Sequence, residues 1–502
     1  MDGIRKGCLA LACMALLSGC ASNSMFVSYP SQAAKWKAEL SRAPAVTVAP
    51  EAGTSDPDTV DHEDEAAESA GPDNDQNTAS LKPANATPTD TRVSPVISKL
   101  ESATSSADGV LYLQELGRVS QLQGQREASR NAFAGAVAAY DAEDNSARIQ
   151  VSSLAATGSA MLTNDNARAY IAPDYERIFT RAYQALNYWA ADDASGAAVE
   201  LRAAALEQQV AANKRDKEIA KAEEEAEEND IDVSQFDGYF EGLNAVAGDV
   251  KSSFQNAWTF YLSALFWEAH REYNDALVDY KKALEIHPES TMLKEDVERV
   301  SAAMNGQRVD GGLVAVIYEQ GFVQPRAEFS LPIPTIHGYF SVAFPTYSLE
   351  DKPRPDSLRV LDTGMQPLGE TQVMADVGAL AAKDLKERMP GMLVRQTLRA
   401  TTKYNLQKQA NDNYGVLGAF ATQIYNLVSE QADRRSWLTL PAYAQATRFS
   451  LPQGEHTLLL STPQGDATLT VPVVNRGLTV IHAVAVPGRL ITRVLPVQEG
   501  PL

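Results

Sequence analysis

The residues from Phe260 to Pro288 alternate small and bulky side chains at the spacing of two paired helices. Small residues fall where the helices would cross, and bulky residues fall where they would fill the groove between them, as close helix packing requires. The positions that carry the pattern are Ala264, Trp267, Tyr273, Ala276, Tyr280, Ala283 and the terminating Pro288. This stretch therefore predicts a tightly packed helical hairpin.

The hairpin window resembles the tetratricopeptide repeat, a family of stacked helix pairs. Two earlier windows, Leu116–Ala136 and Ala185–Ala204, share its phase less closely. The windows lie about 70 residues apart, which is twice the repeat length of about 34 residues. Between them the chain is rich in alanine and nearly free of proline. We expect repeat-like hairpins here rather than an irregular helical bundle, while a regular superhelix is left open.

The first residues of the chain have the pattern of an export signal. Two basic residues precede an apolar run, Cys8–Leu17, which is too short to cross a membrane as a helix. The run ends in Leu17-Ser18-Gly19-Cys20, which resembles the lipobox of bacterial lipoproteins. This resemblance implies that residues 1–19 are a signal peptide and that Cys20 carries the lipid. An ordinary secretory signal with a chance cysteine is the alternative.

The use of cysteine agrees with export. The chain has three cysteines, Cys8, Cys13 and Cys20, and cleavage would remove the first two. The mature protein would then have no disulfide and no cysteine for a metal site or a thiol nucleophile. Ala21 follows the lipidated position where an aspartate would signal retention in the inner membrane. The resemblance to lipoproteins therefore implies anchoring in the outer membrane, with the protein facing the periplasm.

Residues 42–107 differ in composition from the rest of the chain. They are rich in acidic residues, alanine, serine and proline, and they contain no aromatic residue. Such a segment buries too little apolar surface to offset its ordering entropy, so we predict a disordered tether. A flexible chain of about 60 residues spans on the order of 40 Å, which would hold the folded part away from the membrane. The net charge of −21 disfavours binding to nucleic acid, because both would be anionic.

After Gly311 the apolar pattern changes from helical spacing to strand-like runs. A helix is predicted over Val377–Met389, and a second helix begins near Gly391 and continues with breaks. The predicted strands are Leu313–Tyr318, Ala327–Leu331, Gly338–Phe344, Leu358–Leu361, Ala446–Leu451, His456–Ser461, Ala467–Val474, Leu478–Val486 and Leu490–Leu495.

These patterns predict a multidomain α+β fold. Helical hairpins of the tetratricopeptide type would be followed by a mixed α/β segment and a small antiparallel β-sandwich or sheet. The predicted parts are a signal peptide (1–19), a lipidated N-terminus (20–41), the tether (42–107), a helical domain (108–305), an α+β domain (306–435) and a β domain (436–502).

The sequence shows no pattern that marks a catalytic residue, a metal site or a cofactor site. The motifs of zinc proteases, serine hydrolases and phosphate-binding loops are missing. The six histidines, of which His482 lies within a predicted strand, form no ligand-spaced pair, so each reads as a structural residue. A basic stretch from Lys383 to Lys403 could meet an anionic partner, although a solvated helix face with internal ion pairs is the simpler interpretation.

Two further stretches, Tyr175–Ala204 and Arg435–Ala442, carry a resemblance that extends over most of residues 108–495. Together with the lipobox, they resemble repeat-containing outer-membrane lipoproteins of Gram-negative bacteria. The resemblance implies architecture and compartment, and it implies no activity.

The leading hypothesis is therefore a lipid-anchored scaffold or adaptor. Its helical repeats would bind a protein partner in the cell envelope, since the grooves of such repeats commonly hold extended peptides. The rival hypothesis is an envelope hydrolase that acts on peptidoglycan or polysaccharide through two facing carboxylates. A purely structural protein is a third possibility.

Overall fold

The computed structural model describes residues 29–40, 95–150, 168–229, 231–307, 311–335, 338–399, 402 and 431–496. The predicted signal peptide, Cys20 and residues 42–94 of the predicted tether lie outside these described residues. The fold is mixed helix and sheet. Its helices are α1 (Tyr29–Leu40), α2 (Pro95–Ala103), α3 (Gly109–Leu122), α4 (Arg126–Gln150), α5 (Asp174–Trp189), α6 (Ala194–Glu228), a 3-10 helix (Val233–Phe240), α7 (Glu241–Ala247), α8 (Ala257–Ala269), α9 (Tyr273–Ile286), α10 (Thr291–Met304) and α11 (377–399).

Three helical hairpins, α3/α4, α5/α6 and α8/α9, share one turn geometry. The turns contain Gly124, Asp192 and Arg271, each in the left-handed backbone region with a φ of 76°, 59° and 62°. The residue that follows each of these three donates its backbone N–H to the carbonyl of the residue five positions before it in the chain, at 2.8–2.9 Å. This pairing ends a helix and reverses the chain. The hairpins are therefore built alike, although their turns have different sequences.

Helices α3 and α4 approach each other closely at Gly117. A Cβ atom added at this position would lie 2.5 Å from the ring of Phe133 on α4. Any larger residue would have to push the two helices apart, because the Phe133 ring is itself fully buried. The glycine thus fixes the crossing point of the first hairpin.

The strands form three sheets. They are β1 (Gly312–Gln320), β2 (Ala327–Thr335), β3 (Gly338–Thr346), β4 (Arg359–Leu361), β5 (Pro367–Glu370), β6 (Gln372–Asp376), β7 (Tyr443–Leu451), β8 (Gly454–Thr462), β9 (Gly465–Val473), β10 (Leu478–Val486) and β11 (Arg489–Val494). A five-stranded sheet has the order β11-β10-β1-β7-β6, a four-stranded sheet has the order β5-β4-β8-β9, and β2 and β3 form a separate hairpin.

The five-stranded sheet lies between the helices and the four-stranded sheet. Its parallel central strands β1 and β10 are buried along their whole length. Leu313, Ala315 and Ile317 of β1 belong to the core shared with the helices, whereas Val314 and Val316 pack against the four-stranded sheet. A strand buried on both faces needs apolar residues at consecutive positions, which explains the uninterrupted apolar run at the start of β1.

The predicted division between residues 306–435 and 436–502 is wrong. Strand β1 pairs with β10 and β7, and β4 pairs with β8, so both sheets combine strands from the two predicted domains. The predicted boundary near residue 305 fails as well, because α8 packs on the five-stranded sheet within the same core. Periodicity identifies a strand but carries no information about which distant strand will pair with it.

The predicted disorder of residues 42–107 is wrong at its C-terminal end. Helix α2 buries Val96, Ile97 and Leu100, and it packs on α3. Three apolar residues on one face are enough to dock a short helix on an existing core, although the average composition around them is polar.

The predicted break at Gly391 is also wrong. Helix α11 runs from residue 377 to residue 399 through Pro390, whose ring costs the helix a backbone hydrogen bond. Buried Met389, Met392 and Leu393 on both sides of the proline hold the helix against the core. The short strands β5 and β6 were not predicted.

Candidate functional site

The predicted hairpin residues come together in the pair α8/α9. Ala264, Ala276, Tyr280 and Ala283 are fully buried, and Trp267 is nearly so. Asp279 links the two helices, because its carboxylate accepts hydrogen bonds from the Ser263 hydroxyl at 2.6 Å and from the Trp267 indole at 3.2 Å. Tyr273 is half-buried, and Pro288 is exposed. The window is a packed helical hairpin, and its assignment to the tetratricopeptide repeat stays a prediction.

The inner face of the helical layer, formed by α3, α5 and α8, is covered by the protein itself. Residues 436–442 lie against this face, turn at residues 438–440, and are buried throughout. The Trp437 ring packs against the rings of Phe133 and Tyr183, with centroid distances of 6.0 and 5.8 Å. The surface that we expected to hold a partner peptide thus holds a segment of the same chain.

Two buried glutamates bind the backbone of this internal segment. Glu176 on α5 accepts a hydrogen bond from the backbone N–H of Trp437 at 2.9 Å. Glu115 on α3 accepts from the backbone N–H of Leu438 at 2.8 Å and from the Thr439 hydroxyl at 2.6 Å. The N–H groups of Trp437 and Leu438 are buried, and a buried N–H without an acceptor costs free energy. The two carboxylates therefore make it possible to bury this stretch.

Burial raises the pKa of both the Glu115 and the Glu176 carboxyl, although the hydrogen bonds that they accept act in the opposite direction. Glu176 also accepts from the hydroxyl of Tyr170 at 2.7 Å. Both carboxylates are fully buried and face atoms of the protein. They are not arranged as two carboxylates on opposite sides of an open cleft.

A third buried glutamate, Glu319 on β1, joins the sheet to the helices. It accepts hydrogen bonds from Arg118 at 2.5 Å, from Tyr183 at 2.7 Å and from the Nε2 atom of His482 at 2.6 Å. Burial alone would raise the pKa of Glu319, but the Arg118 guanidinium and the His482 hydrogen bond outweigh it and hold this pKa below its usual value. The guanidinium also lies 4.2 Å from the centre of the Tyr183 ring.

The polar network continues from Arg118 into the first two hairpins. Arg118 donates to the Gln121 side chain at 2.6 Å, and Gln121 donates to Asn187 at 2.8 Å. Asn187 in turn donates to the Ser129 hydroxyl at 2.8 Å. A connected network of this kind fixes the relative position of α3, α4, α5 and β1.

One depression on the described surface is smaller than a typical ligand site. A depression of about 150 Å³ lies beside Val323 and Tyr443, and the ion pair between Lys352 and Asp376, at 2.7 Å, borders it. Ligand sites usually enclose about 300–1,000 Å³. Among the described residues, no cluster of three or more His, Cys, Asp or Glu side chains could hold a metal ion.

Helix α11 carries the described part of the basic stretch. Lys383 pairs with Glu387 at 3.8 Å, and Arg388 pairs with Asp384 at 3.1 Å. The internal ion pairs of the simpler interpretation are present, but Asp384 is buried and also pairs with Arg215 of α6 at 2.9 Å, so this face of the helix is not solvated.

The outer face of the helical layer bears an exposed apolar surface. Val199, Leu206 and Val210 on α6 are 62%, 59% and 50% exposed, and their spacing of seven and four residues places them on one side of the helix. Val278 on α9 is 50% exposed. The ion pair between Arg202 and Asp275, at 3.6 Å, joins α6 to α9 next to these residues. We call Val199, Leu206, Val210 and Val278 the outer patch.

No protein-family model, no curated protein and no solved structure matches this chain. The resemblance to outer-membrane lipoproteins therefore stays a prediction. The two stretches that carry it meet in the fold, because Glu176 of the first binds Trp437 of the second. Among the described residues, no helix is both long and apolar enough to cross a bilayer.

The sequence patterns do not predict the roles of Glu115, Glu176, Glu319 and Arg118. One signal was present for Glu319, which directly follows the apolar run of β1 and shares its helix-facing side with Leu313, Ala315 and Ile317. A charged residue on the inward side of a buried strand requires a partner. For the two glutamates of α3 and α5, helical spacing gave no comparable signal.

Proposed function

We propose that the protein is a lipid-anchored scaffold or adaptor of the cell envelope that binds a protein partner through the outer patch. The observation that carries this proposal is the exposed apolar side of α6. Scattered single apolar residues are normal on a protein surface, but an aligned set on one helix is typical of an interaction site. The lipid on Cys20 would hold this surface at the outer membrane, facing the periplasm.

The outer patch is a better candidate than the inner face of the helical layer. Residues 436–442 already cover the inner face, and removing them would expose Trp437 and break the hydrogen bonds to Glu115 and Glu176. Each lost bond to a buried carboxylate costs about 1.5–3 kcal/mol. A partner that displaced residues 436–442 would have to recover more than this free energy before it bound with any net affinity.

The spacing of the outer patch favours a helical partner. Apolar residues at positions i, i+7 and i+11 lie along one side of α6, and the ion pair between Arg202 and Asp275 links this helix to α9, which carries Val278. An amphipathic helix that places its own apolar residues at the same spacing would cover this side of α6. The alternative of an envelope hydrolase gains no support from Glu115 and Glu176, since both carboxylates bind the chain's own backbone.

The anchor is tested by Cys20→Ser. The expected result is a protein that is unprocessed or soluble in the periplasm, since the lipid requires the thiol. Fractionation of cells expressing the variant and the wild type measures this. Wild-type amounts of Cys20→Ser in the outer-membrane fraction would contradict the anchor.

The partner surface is tested by crosslinking in cells, with a photoreactive residue at position 209 beside the patch. Leu206→Glu should abolish the crosslinked product, because it places a charge in the middle of the apolar side of α6. Leu349→Glu is the matched control, since Leu349 is also exposed, at 55%, but lies outside the patch. Equal amounts of crosslinked product from both variants would contradict the proposal. Urea unfolding checks that both variants are folded.

A further inference from the structure

Helix α1 is docked in the folded body, although it precedes the predicted tether in the chain. Its buried residues are Tyr29, Ala33, Trp36 and Leu40, with exposed fractions of 8%, 0%, 2% and 0%. Their spacing of four, three and four residues places them on one face of the helix. This face is part of the main hydrophobic core.

The contacts of α1 are specific as well as apolar. The Tyr29 hydroxyl donates a hydrogen bond of 2.7 Å to Glu115, the same carboxylate that binds the internal segment at Leu438. The Trp36 ring meets the Tyr112 ring of α3 edge-on at 6.2 Å. The Lys37 ammonium donates to the carbonyl of Val323 at 3.2 Å. Helix α1 thus touches α3 and the chain just before β2.

The chain that follows α1 returns to the same body. Helix α1 ends at Leu40, and α2, which packs on α3, begins at Pro95. A tether has the folded body at one end and the membrane at the other. Residues 41–94 have the folded body at both ends, so they cannot set the distance between the body and a lipid on Cys20.

That distance is set by the residues between Cys20 and Tyr29. A fully extended chain spans at most about 3.3–3.6 Å per residue, so these nine steps reach about 30 Å. The predicted tether would have added on the order of 40 Å and would have left the height of the body variable. With α1 docked, the body must stay close to the bilayer.

We infer that docked helix α1 fastens the folded body within about 30 Å of the membrane surface and turns the side around Tyr29 towards it. This inference rests on the lipid anchor of the proposed function. The protein would then bind its partner next to the membrane. The noncovalent contacts of α1 would connect the lipid anchor to the folded body.

The experiment uses full-length, lipidated protein in lipid vesicles, with a protease site inserted after Ser24 or after Ala66. Cleavage after Ser24 separates the lipid from the whole body, which should move to the supernatant. Cleavage after Ala66 leaves α1 on the lipid, and the body should still sediment with the vesicles. Release of the body by cleavage after Ala66 would overturn the inference, because it would show that residues 41–94 act as the tether.

Two variants control for the contact itself. Trp36→Ala removes the largest buried side chain of α1 and should release the body after cleavage at Ala66, while the uncut variant stays on the vesicles. Lys35→Ala, at an exposed position of the same helix, should behave like the wild type. If Trp36→Ala and Lys35→Ala behave alike, α1 is not the link.

A second readout separates this inference from the anchor. After cleavage at Ala66 in detergent, the fragment that contains α1 should elute with the body in gel filtration. If the uncut protein never binds vesicles but the fragments elute together, the anchor fails and the docking of α1 stands. Separate elution overturns the docking, whatever the anchor does.

Discussion

The Arg118 guanidinium lies 2.5 Å from the Glu319 carboxylate, and this ion pair connects helix α3 to strand β1 across a fully buried interface. The side chains are 1% and 0% exposed. His482 on the neighbouring strand β10 binds the same carboxylate. The helical layer is therefore joined to both parallel strands through a single glutamate. Removal of its charge should destabilise the whole fold.

Glu319→Gln should lower the free energy of unfolding by about 3–5 kcal/mol, because it leaves the Arg118 charge buried without a counter-charge. Urea unfolding measures the loss. Glu225→Gln is the matched control, since Glu225 pairs with Lys221 at 3.6 Å on the exposed surface of α6, where such pairs contribute about 0–1 kcal/mol. Similar losses in the two variants would contradict the role given to the buried pair.

His482 should make the stability depend on pH. Burial lowers its pKa in spite of the hydrogen bond to Glu319. The unfolded chain, with a histidine pKa of about 6.5, therefore binds the proton before the folded chain as the pH falls. The stability that neutral His482 contributes is complete above this pH and declines below it.

His482→Gln removes this titration but keeps a side-chain donor for Glu319. Between pH 7.5 and pH 5.5, the wild type should lose more stability than the variant, because its unfolded state takes up a proton at position 482 before the folded state does. Urea unfolding of both proteins at the two pH values gives the difference. If the two proteins lose the same stability, His482 does not titrate differently in the folded state.

Local patterns in the sequence predict most of the elements but not their arrangement. The hairpin α8/α9 and the strands β1 and β10 were predicted close to their observed bounds, because each depends on its own periodicity. The pairing of β1 with β10 joins residues that are more than 160 positions apart, such as Leu313 and Leu478. Neither apolar run indicates which distant strand it pairs with. The sequence patterns therefore led to a prediction of successive domains.

The role of the buried glutamates could not be predicted from the sequence for a related reason. Glu115 and Glu176 each lie in a helix that is buried on almost every side, with polar residues among the buried ones. Their acceptor role becomes visible only when the segment around Trp437 is placed beside them. A sequence shows which residues are polar, but it does not show which distant backbone N–H group lacks a partner.

A chain that begins at Asp108 should be much less stable than one that begins at Tyr29. The shorter chain lacks α1 and α2, and the loss of Trp36 alone removes a buried side chain whose truncation typically costs about 3–5 kcal/mol. Thermal and urea unfolding of the two proteins measure the difference. Equal midpoints would show that α1 and α2 contribute nothing to the core.

Ala276→Leu should lower the free energy of unfolding by about 1–3 kcal/mol, because Ala276 is fully buried where α8 and α9 pack and a larger side chain would force them apart. Ala220→Leu is the matched control at an exposed position of α6, and it should change the stability by no more than about 0.5 kcal/mol. Urea titration resolves the two outcomes. A neutral Ala276→Leu would mean that the hairpin tolerates bulk at its contact. The alternation of small and bulky residues over Phe260–Pro288 would then have no structural meaning, and the interpretation of this window as a repeat would lose its basis.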